Sequence, residues 1–290
     1  MNVSVPTIND GPADFDALFG LWSQVNGDGL DVTFDFSRCK FLRQNAVAFL
    51  GGLFRLIQNR SGTVRLDWNN MREAVRANLE QNGFRAAFSP GAGPWLGNSI
   101  PFRQDPVADN AGLMTYLKAH WLGRGWVNVS EQLRDAIVGR VWEVYTNAFE
   151  HGESPIGVFS CGQHYPKLHC LKLSVVDFGV GIPSNVRRFG GDAALPANQA
   201  MAWAFRPYTT TKPNGMGRGM GLDLLKNFIR ANKGCLEVFS HDGHAIINTE
   251  GEDYRTRPAS FEGTLINLSL VCDDSYYCLA SEVADQKPLF

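Results

Sequence analysis

A chain of 290 residues, with 44% apolar and 19% charged residues, is long enough to bury two cores of ordinary size, and this composition excludes a disordered protein. The formal net charge of -2 offers no bulk attraction to nucleic acid or an anionic membrane, and the longest apolar runs, such as residues 46–53, are too short to cross a bilayer. The opening MNVSVPTINDGPADF has no basic leader ahead of an apolar stretch, so a cytoplasmic protein is expected, with its six scattered cysteines reduced.

Residues 1–90 alternate between strand and helix patterns. A helix is predicted over 13–25, where Phe15, Leu18, Phe19, Leu21 and Trp22 form one apolar stripe. Period-two alternation predicts a strand over 31–36, followed by a helix over 45–58, a strand over 63–68 and a helix over 71–81 that stops at Asn82-Gly83. Such alternation implies a small α/β layer domain. The segment DVTFDFSRCKFLRQNAVAFLGGLFRL, then a strand and a helix ending in LEQNGF, resembles the STAS domains of anti-sigma-factor antagonists. Phosphorylatable members carry a serine at the start of the helix after the central strand. Asn45 stands at that position here, so the resemblance implies a module without a phosphate switch.

The Gly- and Pro-rich FSPGAGPWLGNSIPF predicts a linker, and residues 91–125 read as linker plus a connecting helix that begins within 113–122. Ser130 is placed to cap a long helix whose buried face carries Leu133, Ile137, Val141 and Val144. A second α/β domain is expected over 126–272, and the tail, 273–290, carries no interpretable motif.

Three segments of the second domain point to chemistry. The long helix ends in RVWEVYTNAFEHG, where Glu143, Asn147 and His151 are four residues apart and share a face, with Val141 and Val144 on the core-directed side. A strand pattern, LKLSVV, runs into Asp177-Phe-Gly179-Val-Gly181, where glycines let the backbone turn sharply and approach a flat ligand. The third segment, from Arg206 to Leu222, holds Lys212, Gly217, Gly219 and Gly221 just ahead of a helix, and N–H groups at such a helix start can meet anionic oxygens. It is neither a Walker A loop nor a dinucleotide fingerprint.

In this order, and with the closing strand Glu262-Gly-Thr264-Leu-Ile-Asn-Leu-Ser-Leu270, the segments resemble the GHKL ATPase superfamily, which includes gyrase-type topoisomerases, MutL, chaperones and sensor histidine kinases. The resemblance implies an α+β sandwich with a mixed sheet backed by helices, and a pocket for ATP and Mg²⁺. It assigns Asn147 to Mg²⁺, Asp177 to the adenine amino group, Gly179 and Gly181 to backbone contact with the base, and Thr264 to support of Asp177. Gly217, Gly219, Gly221 and Leu222 would form the hinged lid, with Lys212 a phosphate contact. Glu143, four residues before Asn147, matches the general base of hydrolysing members and anti-sigma-factor serine kinases, which favours an ATPase or serine/threonine kinase over a histidine kinase.

Two other readings stand beside it: a non-catalytic ATP-dependent sensor that presents a protein-binding surface, and a histidine-kinase-like enzyme acting in trans. A regulatory protein partner is expected in each, homodimers are common in the superfamily, and neither nucleic acid nor membrane is expected as a direct partner. Cys161, His164, His169 and Cys170 have the residue types for zinc, but adjacent strand residues point to opposite faces and argue against convergence. His120 lacks the acidic neighbour and long helical hairpin of a phosphoacceptor histidine.

Overall fold

The computed structural model describes residues 1–91, 93–95, 97–206, 209 and 221–284. It contains a three-stranded parallel sheet and a five-stranded antiparallel sheet with helices between and around them. The first sheet is β1 (Asn2–Ser4), β2 (Asp31–Asp35) and β3 (Thr63–Leu66), paired in that order with Val3 opposite Phe34 and Val32 opposite Val64. Its crossovers are α1 (Pro12–Gln24) and α2 (Gln44–Asn59), which right-handed βαβ connections place on one face. Pro12 opens α1 where a missing N–H costs nothing, and Asp14 accepts from the Gly11 N–H at 3.0 Å. The helices α3 (Glu73–Gln81) and α4 (Phe84–Phe88) follow. The elements predicted over 1–90 therefore form within a residue or two of their expected ends, whereas the short β1 carried no readable period.

Helix α2 has no solvated face, since thirteen of its sixteen residues are buried, and a three-stranded sheet covers only one side of a helix. The other side lies against the second sheet. One continuous core joins Val32, Phe34, Phe49 and Phe54 to Phe159, Val176, Phe178, Phe239, Phe261 and Leu265 of that sheet. The expectation of two separate cores is corrected: the first ninety residues share theirs with one face of the antiparallel sheet. Gly51 and Gly52 make this approach possible. A Cβ on Gly51 would lie 2.4 Å from the Phe102 ring, and one on Gly52 would lie 2.2 Å from the Phe178 ring. A glycine in a helix interior costs about 1 kcal/mol relative to alanine, so the pair is tolerated for what it lets the rings reach.

The second sheet begins where a linker was expected. β4 (Ser99–Asp105) pairs antiparallel with β5 (Val158–Tyr165) as an edge strand, and its register breaks between Ile100 and Arg103. Pro101 hides this strand in the sequence, although proline is tolerated at a sheet edge. After α5 (Asn110–Tyr116), a π-helical turn over Leu117–Trp121 and a 3₁₀ turn over Leu122–Arg124 comes α6 (Glu131–His151), capped by Ser130, whose Oγ accepts from the Leu133 N–H at 3.1 Å. β6 (Cys170–Asp177) forms a hairpin with β5. The chain then passes through α7 (Gly181–Gly190), α8 (Ala197–Ala204) and α9 (Gly221–Ala231) to the hairpin of β7 (Cys235–Asn248) and β8 (Gly251–Val271).

The strand order is β4-β5-β6-β8-β7, and every neighbouring pair is antiparallel. The expected mixed sheet is thus corrected. β6 and β7 do run parallel, but β8 slots between them, so no parallel ladder forms. Helices α5, α6 and α9 cover the face opposite α2, around Trp121, Ile137, Val141, Leu173 and Leu268. The tail carries structure that its sequence did not announce. Tyr277 exchanges backbone bonds with Asn128 and Ser130, and Glu282, in α10 (Ala280–Ala284), accepts from the Ser130 hydroxyl at 2.6 Å.

Where α2 meets the sheet, a buried polar knot sits among the rings. The Gln44 Nε2 group donates to Asn267 Oδ1 at 3.0 Å and Ser174 Oγ at 3.3 Å, and Gln44 Oε1 accepts from the Tyr165 hydroxyl at 2.9 Å. Next to it, Asn45 is fully buried and donates to the Asn9 carbonyl at 2.9 Å.

Candidate functional site

The last two turns of α6, the end of β6, the start of α7 and the middle of β8 enclose one cleft holding about 330 Å³ of empty space, part of it open to solvent. Asn147 and His151 line it from the helix, Asp177 and Gly181 from the turn after β6, and Thr264 from β8. Residues predicted from the long helix, the Asp177 turn and the closing strand are therefore neighbours. Val144 is buried, as expected, and also forms the apolar wall of the cleft together with Ile182 and Ile266.

Asp177 is only 3% exposed, in register with Thr264 on β8. Burial away from water pushes its carboxyl up from 3.8 to about 7, against the opposing pull of the Gly179 N–H, at 3.0 Å from Oδ1, and of the Thr264 N–H and hydroxyl. Among the described residues, no cationic side chain is one of the groups that shift it. It is a carboxylate held in an apolar wall, ready to accept hydrogen bonds from a neutral donor.

Glycine is required around it for specific steric reasons. A Cβ on Gly179 would lie 1.7 Å from the Gly152 carbonyl oxygen, because the turn is pressed onto the end of α6, where the Val180 N–H donates to that same oxygen at 2.7 Å. Gly181 has φ +73°, in the left-handed region, and a Cβ there would meet Ser240 Oγ at 2.7 Å. The turn is also fastened from β7. Ser240 donates to the Gly263 carbonyl at 2.6 Å and accepts from the Ile182 N–H at 3.0 Å, and His241 Nε2 donates to the Val180 carbonyl at 2.9 Å. These supporting residues carried no motif of their own. Nor did Asn185, which lines the cleft and donates to the His151 carbonyl at 2.7 Å.

Glu143 stands one turn before Asn147 but does not line the cleft; it pairs with Arg140 at 2.6 Å, and both side chains are 37% exposed. Asn147 is exposed, and its carboxamide has no hydrogen-bond partner among the described residues. Gly221 and Leu222 open α9, while Lys212, Gly217 and Gly219 lie outside the described residues. The segments on either side of that stretch are tied together: buried Lys226 on α9 donates to the Phe205 carbonyl at 2.8 Å and pairs with Glu252 at 3.0 Å.

The four zinc-type residues are dispersed. Cys161 is buried in the core shared with α2, whereas His164 stacks on Trp126 at 4.7 Å on the other face. Among the described residues no three His, Cys, Asp or Glu side chains converge as a metal site, and no helix is long and apolar enough to cross a membrane. No protein-family model matches the chain, and a search of curated proteins finds no match either.

Proposed function

We propose that the chain is a cytoplasmic Mg-ATP-binding regulatory protein of GHKL type, an ATPase or a serine/threonine-kinase-like enzyme. The observation that carries this reading is the convergence of Asn147, Asp177, Gly181 and Thr264 on one cleft, with a buried carboxylate on its wall. Adenine offers an amino group to Asp177, and guanine offers a carbonyl at the equivalent position, which a carboxylate repels. Thr264 and the Gly179 N–H hold the carboxylate in place, and the close-packed glycine turn leaves room for a flat base. The exposed carboxamide oxygen of Asn147, without a hydrogen-bond partner among the described residues, fits a hard divalent ion. Bound there, Mg²⁺ would neutralise charge on the phosphates.

In the catalytic form of this reading Glu143 leaves Arg140 and takes a proton from the attacking water or hydroxyl. The Arg140–Glu143 pair favours a second reading, a nucleotide sensor without turnover, because the pair occupies the base. Calorimetry tests the reading directly: Mg-ATP binds the wild type, and Asp177→Asn weakens it about a hundredfold; unchanged binding in Asp177→Asn would overturn it. Phosphate release separates the two forms. An enzyme loses turnover in Glu143→Ala while keeping its ATP affinity, and a sensor shows background rates in both proteins.

A further inference from the structure

The residue between Asp177 and Gly179 faces away from the cleft. Phe178 is 6% exposed and points through the sheet into the core shared with α1 and α2. Its ring lies 5.2 Å from Phe49 of α2 and 5.3 Å from Phe261 of β8, with Phe19 of α1 on the far side of Phe261 at 5.3 Å. The ring edge rests on bare backbone at Gly52, where a methyl group would overlap Cε2 at 2.2 Å and Cδ2 at 2.8 Å. The neighbouring Gly51 receives Phe102 in the same way, so α2 offers the sheet a flat strip with room for two rings. Within three consecutive residues the chain thus places a carboxylate in the cleft, a ring in the α2 interface and a glycine against α6 with no room for a side chain.

We propose that Phe178 is a positioning residue, and that α2, by seating its ring at Gly52, sets the place of the Asp177 carboxylate and hence the affinity for the adenine base. The proposal rests on the nucleotide reading of the cleft. Close-packed aromatic contacts are not continuously deformable, so a displaced Phe178 ring carries its own backbone, and Asp177 and Gly179 with it. Coupling of this kind is reciprocal: a nucleotide that engages Asp177 tightens the docking of α2 by the same factor. A segment of STAS-like order would then control the cleft from behind, through packing, with no phosphate at Asn45.

Mg-ATP affinity is measured by calorimetry for the wild type, Gly52→Ala, Phe178→Leu, the double variant and Phe54→Leu. Phe54 is an equally buried ring of α2 that packs on Phe34 and Phe84, away from the turn, and it controls for loss of core stability. Expected are losses of about tenfold for Gly52→Ala and for Phe178→Leu, recovery of most of that loss in the double variant, where the smaller side chain accommodates the added methyl, and no change in Phe54→Leu. Where Gly52→Ala does not fold, Phe178→Leu against Phe54→Leu gives the same discrimination. Affinity that is unaffected in both turn-directed variants, or lost equally in Phe54→Leu, overturns the inference while leaving the nucleotide reading intact. A wild type that does not bind Mg-ATP overturns both.

Discussion

Helices α2 and α6 lie on opposite faces of the same antiparallel sheet and are built in opposite ways. α2 is covered on both sides, carries two glycines where rings press into it, and gives both of its buried polar side chains, Gln44 and Asn45, hydrogen-bond partners. α6 buries only Leu133, Ile137, Val138, Val141, Val144 and Tyr145, and presents Glu143 and Asn147 outward over its last turns. A helix with neighbours all round has no group to spare for a ligand. A helix with one covered side can leave a carboxamide exposed while the sheet beneath it holds a carboxylate still. The cleft sits where the one-sided helix ends.

The largest expected effect falls on the α6 side. Gly179→Ala places a methyl group inside the Gly152 carbonyl, so the turn must separate from the helix; Mg-ATP affinity should fall by more than about a hundredfold, with a melting temperature several degrees lower. Calorimetry and thermal unfolding read the two together, and retained affinity would show that turn and helix end need not touch.

Protonation gives the next effect. Asp177 titrates near 7 in the folded protein, and its ionised form is the better acceptor for an adenine amino group. Mg-ATP affinity should therefore rise about tenfold between pH 6 and pH 8, with a proton released on binding at the lower pH. The stability sign is opposite. A raised carboxyl favours the folded state fully below about pH 4 and loses that contribution as pH rises toward 7, at most about 4 kcal/mol. Asp177→Asn should consequently unfold at a higher temperature than the wild type at pH 8, with the gap closing toward pH 5.

The smallest functional effect belongs to the α2 side. Gln44→Ala strips partners from Ser174, Asn267 and Tyr165 and should cost about 2 kcal/mol in denaturant unfolding while leaving Mg-ATP affinity unchanged. A large affinity loss in that variant would mean that the whole interface, and not the Phe178 contact alone, governs the cleft.

The local rules were legible from residue types. The apolar stripe of α1, the Ser130 cap of α6, the glycines of the Asp177 turn and the pairing of Asn147 with one end of its helix all follow from periods and steric needs that operate within a few residues. Long-range facts were not. Pro101 masked β4, and nothing local to β8 says that it inserts between β6 and β7. The glycine pair in α2 reads as a weak helix position until rings more than fifty residues downstream are seen to need the space. Glu143 was read as an available base, but the same helical spacing that aligns it with Asn147 also brings Arg140 within 2.6 Å.

The shared core bears on any attempt to divide the protein. A polypeptide starting at residue 91 would keep Asn147, Asp177 and Thr264 yet turn Phe159, Phe178, Phe239 and Phe261 toward water, an aromatic surface that invites self-association. The complementary fragment, residues 1–90, would expose the apolar length of α2. Produced from separate genes in one cell, the two pieces should find each other, and their reassembly would report on the same contacts that hold the intact chain together.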